Sequence, residues 1–181
     1  MVWYIQVPTQ YLRRFGLIPC ITMIDIRPAQ VADLQSIQQA NIANLPENYV
    51  FKFILYHNIS WPQGSFVATN SDNQIVGYVL GKMEDDEAEN GKDNRLSAHI
   101  TSIAVNREYR RQGLARRLLQ QSLKSLRENY RAEAVSLHVR ESNQAAFKLY
   151  RDGLGFEVKE LTKSYYADGE DAYSMVKTLT D

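Results

Sequence analysis

The chain first suggests chemistry where His99-Ile100-Thr101-Ser102-Ile103-Ala104-Val105-Asn106 is followed by Arg110-Arg111-Gln112-Gly113-Leu114-Ala115. The first run reads as a strand, the basic glycine-bearing run as a loop, and Leu114 as the start of a helix. A turn of this kind aims several backbone N–H groups, and the positive end of a helix dipole, at one place in space. That makes a ready site for a pyrophosphate. Neither Gly-x-x-x-x-Gly-Lys-Ser/Thr nor Gly-x-Gly-x-x-Gly occurs, which excludes a P-loop and a dinucleotide fingerprint. Taken alone, Arg-x-x-Gly-x-Ala reads equally well as the solvated basic start of a helix.

The elements that must position this loop follow from periodicity. Leu114, Leu118, Leu123 and Leu126 recur at helical spacing, with Gln120, Gln121, Lys124 and Arg127 on the wet side. Ala134 to Val139 alternates like a strand, Ser142 is a candidate N-cap for a helix reaching Tyr150, and Gly155-Phe156 stops that helix. Upstream, Ile24 to Arg27 predicts a strand, followed by a helix with Val31, Leu34, Ile37 and Ala40 on one face and Asp33 near its positive end. Pro46 breaks that helix, and a second amphipathic piece runs through Phe51, Leu55 and Tyr56 to Trp61-Pro62. Ser65 to Thr69 and Ile75 to Lys82 flank Ser71-Asp72-Asn73 as a hairpin, a long strand covers 98–106, one strand exits at Thr162-Lys163, and Ala172 to Leu179 is the last. The order β-α-α-β-β-β-α-β-α-β-β predicts an α/β fold with a mixed, mostly antiparallel central sheet and helices on both faces.

Composition bounds the function. The chain has 181 residues, 44% apolar and 23% charged, with 21 basic and 21 acidic side chains, so no global field recruits nucleic acid or membrane. Charge is nevertheless uneven. Residues 107–117 carry five arginines, whereas 84–93 carry Glu84, Asp85, Asp86, Glu87, Glu89 and Asp93, a solvated loop or a partner-binding rim. The single Cys20 leaves no intramolecular disulfide, and no Cys/His cluster has zinc spacing, so no metal site is expected and a reducing compartment is the default. Asn58-Ile59-Ser60 matches a sequon of a length that arises by chance. No apolar run is long enough to span a bilayer. Residues 1–22, with Arg13 and Arg14 and no acidic residue, read as a targeting peptide or as the product of an upstream start, because Met23 opens a natural-looking protein start. They are set apart from a single domain over 23–181.

The segment Arg110 to Ala115 resembles the acetyl-CoA loop of the GNAT superfamily of N-acetyltransferases, and Asn143, Ala146, Tyr150, Gly155 and Phe156 resemble its second signature. Leu45-Pro46-Glu47-Asn48-Tyr49, the strand His99 to Val105, and Lys163 to Tyr173 with its Tyr-Tyr-Ala-Asp-Gly-Glu-Asp-Ala-Tyr block are similar to the catalytic subunits of NatA-type N-terminal acetyltransferases. Tyr56-His57 and Ser60-Trp61-Pro62-Gln63 agree with the eukaryotic branch. The resemblance runs from Met23 to about Leu179, so Cys20 lies outside it and is a poor nucleophile. It departs at the loop from Glu84 to Ala98, longer and differently composed than the short His-Gly-ending loop of the family, and in the absence of a tail beyond Asp181.

This resemblance implies a single GNAT domain that uses acetyl-CoA as co-substrate and acetylates the α-amine of nascent polypeptides by direct attack in a ternary complex. It implies that backbone amides of Ile103 and Val105 pair with pantetheine and that Arg110, Arg111, Gln112, Gly113, Leu114 and Ala115 take the pyrophosphate. Asn143 would hold the pantetheine arm and Tyr150 would protonate the departing thiolate. Glu47 is implied as base and selector of the first residue, Arg140 as the residue that orients the site, Tyr166 as catalytic, and Tyr165 as a substrate-binding lip. Leu45, Pro46, Tyr49 and His99 complete the peptide side. His99 is either a second base or a satisfied strand residue, and His57 and His138 read as structural.

An unperturbed α-amine has a pKa of ~7.7–8.0, so a modest base suffices, whereas a lysine at ~10.4 is harder to deprotonate. The implied partners are a large helical-repeat auxiliary subunit, docking near Leu55, Tyr56 and Trp61, and the ribosome through it, with neither direct nucleic-acid nor membrane contact. With that subunit, small first residues such as Ser, Ala, Thr and Gly are expected; alone, acidic ones. The expected location is the cytoplasm, and the nucleus besides. The alternatives are an acetyltransferase for lysine or small amines, and a non-catalytic CoA-binding subunit.

Overall fold

The computed structural model describes residues 23–84 and 96–179. The expectations for residues 1–22, for Cys20 and for most of the acidic loop therefore lie outside the described residues. The described strands are β1 (Asp25–Pro28), β2 (Phe66–Thr69), β3 (Ile75–Met83), β4 (Ser97–Val105), β5 (Ala134–Arg140), β6 (Glu157–Thr162) and β7 (Ala172–Thr178). They form one sheet in the order β1-β2-β3-β4-β5-β7-β6, in which β4 and β5 run parallel and every other neighbouring pair runs antiparallel. The predicted order of elements and the mostly antiparallel sheet are both present.

Strand alternation builds two cores, because successive side chains point to opposite faces. Val67, Tyr78, Leu80 and Ala104 pack with α1 (Leu34–Asn44) and α2 (Phe51–Ser60) on one face. Phe66, Ala68, Val79, Val135, Leu137 and Val139 pack with α3 (Leu114–Tyr130) on the other, where α4 (Gln144–Lys148) continues into a π-helical turn, Leu149–Gly153, that buries Tyr150. The leucines predicted for α3 are all buried, joined by Leu119.

Three local readings need correction. Val31 is 66% exposed and lies in a short 3-10 turn, not on the buried stripe of α1; Asn41 takes the inward place, donating to Tyr78 Oη at 3.0 Å. In α2, Phe51 and Tyr56 are exposed, and the inward side is Ile54, His57 and Asn58. The cap of α4 is Asn143, whose Oδ1 accepts from Ala146 N at 3.2 Å; Ser142 is instead bonded to Glu170, through its amide at 2.9 Å and through its hydroxyl. Asp33 also does more than face a dipole. Its carboxylate accepts from Arg27 at 2.6 and 2.9 Å and from the Gln30 amide at 2.8 Å, bonds that hold it below the usual carboxylate range despite burial.

One irregularity matters for everything that follows. Leu80 pairs with Ser102 and Gly81 with Ile100, so Thr101 is an extra residue bulged out of β4. Pairing between β4 and β5 stops at Ile100 and Leu137. Beyond that point Thr101 to Val105 and His138 to Arg140 diverge, and the sheet opens a wedge at the carboxyl ends of its parallel strands.

The base of the bulge is closely packed. A Cβ on Gly64 would lie 2.4 Å from the Gly81 carbonyl oxygen, and the Gly64 carbonyl accepts from buried Ser122 Oγ on α3 at 2.7 Å. Because the obstructing atom is backbone, Gly64→Ala should destabilise the fold by about 1–3 kcal/mol in urea unfolding. An unchanged midpoint would show that the two backbones have room to part.

Candidate active site

On the α3 face, the wedge meets the loop predicted to bind phosphate. Arg111 and Gly113 both adopt left-handed backbone conformations, with φ of 64° and 75°. Nothing lies within 4 Å of a Cβ at Gly113, so glycine is needed there for backbone conformation and not for space. Gly113 also begins α3 without a side-chain cap, leaving the first amides of a 17-residue helix for another acceptor. Alternating backbone conformations of this kind turn successive N–H groups into a concave anion site. The loop borders a cavity of about 460 Å³ together with Val105, Leu114, Ala115, Lys148 and Leu149.

Arg110 lines this cavity but is also a bolt: its Nε donates to the Val105 carbonyl at 2.8 Å and its Nη2 to Asn44 Oδ1 at 2.8 Å. Gln112, Ile103, Asn143 and Tyr150 stand outside the lining. The Gln112 side chain donates back to the Glu108 carbonyl at 3.3 Å. Tyr150 lies beneath the π-helical turn, where burial pushes its phenol up to about 12, so it carries its proton at neutral pH.

The opposite face of the sheet assembles the predicted peptide side around Arg140. Its Nε donates to Glu47 Oε1 at 3.0 Å, and its Nη2 donates to the same oxygen. Glu47 Oε2 makes no hydrogen bond among the described residues. Nη1 of Arg140 donates to Asp168 at 2.8 Å and to Glu170, and its guanidinium lies 4.0 Å over the ring of Tyr166. Burial opposes the Arg140 charge, but bonds from three carboxylates outweigh it and raise its pKa further. Hydrogen bonds from Ser142 and then Arg140 hold Glu170 down to about 2. Burial, with the nearby Glu47 charge, raises the Tyr166 phenol.

The loop bearing Glu47 is tied down by one buried side chain. Asn41 donates to the Glu47 carbonyl at 3.1 Å and accepts from the Tyr49 amide at 2.9 Å. Leu45 packs against the α1–α2 core, and the Pro46 carbonyl accepts from Asn48 at 3.1 Å. Tyr49 stacks on Phe53 at 4.6 Å, Phe53 contacts His57 at 4.5 Å, and His57 contacts Trp61 at 5.5 Å, a column with the four-residue spacing of a helix. This column grips the bulge. Tyr49 Oη donates to the Thr101 carbonyl at 3.3 Å, and His57 Nε2 meets Thr101 Oγ1 at 2.9 Å. His57 is thus structural, as read from the sequence.

His138 is placed differently from its reading as a structural residue. Its ring stacks on Tyr165 at 4.3 Å and lies 5.6 Å from His99, with its buried Nδ1 lacking a hydrogen-bond partner among the described residues. The signal was present, because in a strand Ser136, His138 and Arg140 share one face. His99 Nδ1 meets Ser136 Oγ at 2.7 Å, and that hydroxyl reaches Glu84 at 3.2 Å. Burial, and then the neighbouring charges of His138, Lys82 and His57, depress His99 to about 4, so its ring is neutral at pH 7. Sequence reasoning missed Asn41, His138, Asp168 and Glu170 as members of the site. Among the described residues no cluster of three or more His, Cys, Asp or Glu could hold a metal.

The Acetyltransferase (GNAT) family model matches residues 33–156. The chain is 53% identical over 157 residues to a Schizosaccharomyces pombe protein named N-terminal acetyltransferase A complex catalytic subunit ard1, covering 87% of this chain and 86% of that one. It is 48% identical to the Arabidopsis thaliana N-terminal acetyltransferase A complex catalytic subunit NAA10, over 87% of this chain and 79% of that protein. Among solved structures it is similar to a chain of the NatC complex bound to Gag peptide and CoA, with a TM-score of 0.78, 25% identity, and coverage of 87% and 99%.

Two buried, neutral histidines make a pH signature. His57 and His99 are both depressed to about 4 in the folded state, against about 6.5 unfolded. Between those values the unfolded chain binds more protons, so stability present above pH 6.5 is lost as pH falls towards 4. Urea unfolding at pH 6.5, 5.5 and 5.0 should show a decline of about 1 kcal/mol per pH unit from each ring, and His99→Gln should roughly halve the total. A slope that is absent in the parent would mean these rings protonate freely while folded.

Proposed function

The chain belongs to the acetyltransferase (GNAT) family, and on that premise we propose that it transfers acetyl from acetyl-CoA to the α-amine of nascent polypeptides, as the catalytic subunit of a NatA-like complex. The observation that carries this reading is the wedge between β4 and β5, with the phosphate loop on one face of the sheet and the Glu47–Arg140–Tyr166 cluster on the other. A donor and an acceptor reaching that gap from opposite faces can meet without an acyl-enzyme.

The uncapped start of α3, Arg111 and the conformation of Gly113 fit a pyrophosphate, and the unpaired edge of Thr101–Val105 fits an extended pantetheine arm. Acetyl-CoA supplies the acyl group in activated form, as a thioester. Ile103 and Val105 offer backbone amides to the arm, and the Val105 N–H polarises the carbonyl. Asn143 steadies the arm from the start of α4 with the part of its amide not used in capping. Glu47 takes the proton of the incoming amine on Oε2, the oxygen that Arg140 leaves open. Tyr150, protonated to about pH 12, gives its proton to the departing sulfur. Tyr165, Tyr166 and Tyr49 frame the peptide backbone, with Leu45 and Pro46 shaping the space for the first side chain.

The exposed outer surface of α1 and α2, with Val50, Tyr56 and Ile59 between 56% and 67% exposed, suits the helical-repeat auxiliary subunit. Through that subunit the enzyme would reach the ribosome, in the cytoplasm and the nucleus. The domain carrying this activity spans residues 23–181.

Purified protein incubated with acetyl-CoA and two free-amine peptides, one beginning Ser and one beginning Glu, should acetylate the α-amine of the Glu peptide when alone, as located by mass spectrometry. Glu47→Gln should lower kcat by about 100-fold or more. Acetyl groups confined to lysine side chains, or a Glu47→Gln variant as fast as its parent, would contradict the assignment.

A further inference from the structure

Arg140 carries one positive charge and faces three carboxylates, Glu47 on one side and Asp168 and Glu170 on the other. The latter two do not depend on Arg140 for their places. Asp168 Oδ1 accepts from the Glu170 amide at 3.1 Å, and Glu170 Oε1 accepts from the Ser142 amide at 2.9 Å. The turn between β6 and β7 closes on itself through Tyr166 N to Glu170 O at 3.1 Å and Gly169 N to Tyr166 O at 2.8 Å. Its base is braced by Asp171, which accepts from Lys163 at 2.5 Å and from the Ser164 amide at 3.0 Å. Two carboxylates are therefore presented to Nη1 by a preformed hairpin, while Glu47 reaches Nε and Nη2 from a separate loop.

Resting on the reading of Glu47 as proton acceptor, we propose that Asp168 and Glu170 are positioning residues that hold the Arg140 guanidinium on Oε1 of Glu47 alone and so leave Oε2 open to the incoming amine. A guanidinium without other partners can turn its fork onto both oxygens of a carboxylate. With Nη1 held by Asp168 and Glu170, Nε and Nη2 both fall on Oε1 of Glu47. Arg140 from β5 bonds Glu47 directly, and Asp168 and Glu170 reach it only through that guanidinium. Tyr166 and Tyr49 lie nearby and stay neutral because burial raises their phenols. The same pair fixes the guanidinium plane over Tyr166.

The test is kcat and peptide KM for the full chain, for Asp168→Asn/Glu170→Gln, and for Glu47→Gln. The double variant should lose roughly 3- to 10-fold in kcat, with KM within about twofold. An unchanged kcat overturns the inference. So does a fall in kcat matched by a rise in KM, the mark of a loosened loop. If Glu47→Gln keeps the parent kcat, the reading of Glu47 falls and takes this inference with it. If Glu47→Gln loses kcat while the double variant keeps it, this inference alone falls.

Discussion

Two neighbouring parallel strands that pair over only four residues leave a gap in the middle of a sheet, and a gap there has to be held open against the tendency of backbone groups to find partners. Here the force comes from the α1–α2 side. Thr101 is bulged from β4 and gripped by Tyr49 and His57, and those two belong to an aromatic column anchored in α2. On the other side Gly64, Gly81 and Ser122 let α3 lie close beneath the bulge. The opening is a consequence of packing on both faces, and the proposed acetyl-transfer site is built around it.

Arg140 stands at the end of the diverging strand and joins parts of the chain that no local contact would bring together. Glu47 is 93 residues away in sequence, and Asp168 and Glu170 are 28 and 30 residues away. One guanidinium therefore links the loop after α1 to the β6–β7 turn, the two segments proposed to flank the peptide. Its resting over Tyr166 fixes the aromatic lip in the same arrangement. Charge balance and geometry are coupled at this residue, so a change to any one of its partners is felt at the others.

Much of this was legible in the sequence because it is local and periodic. The hairpin around Ser71-Asp72-Asn73, the leucine face of α3, the break at Pro46 and the glycine-bearing loop before Leu114 depend on neighbours within a few residues. Errors arose where burial contradicts polarity. His57 and Asn58 face inward, with His57 Nε2 bonded to Thr101 and the Asn58 amide donating to the Ala29 carbonyl, and a hydropathy reading of α2 turns the helix the wrong way. Ser142 is a cap candidate by local pattern, yet it is bonded to Glu170 from a distant turn and Asn143 caps the helix. Asp168 and Glu170 lay within a recognisable motif, but their place at Arg140 comes from long-range pairing that no spacing displays.

The most direct test of this account is hydrogen exchange measured with and without acetyl-CoA. Entry of the coenzyme into the wedge predicts slowed exchange at the amides of Thr101–Val105 and Arg111–Ala115, with β1 and β2 unaffected. Tight binding that leaves Thr101–Val105 exchanging as before, or that protects a different edge of the sheet, would contradict the claim that the parting of β4 and β5 is the acetyl-CoA site.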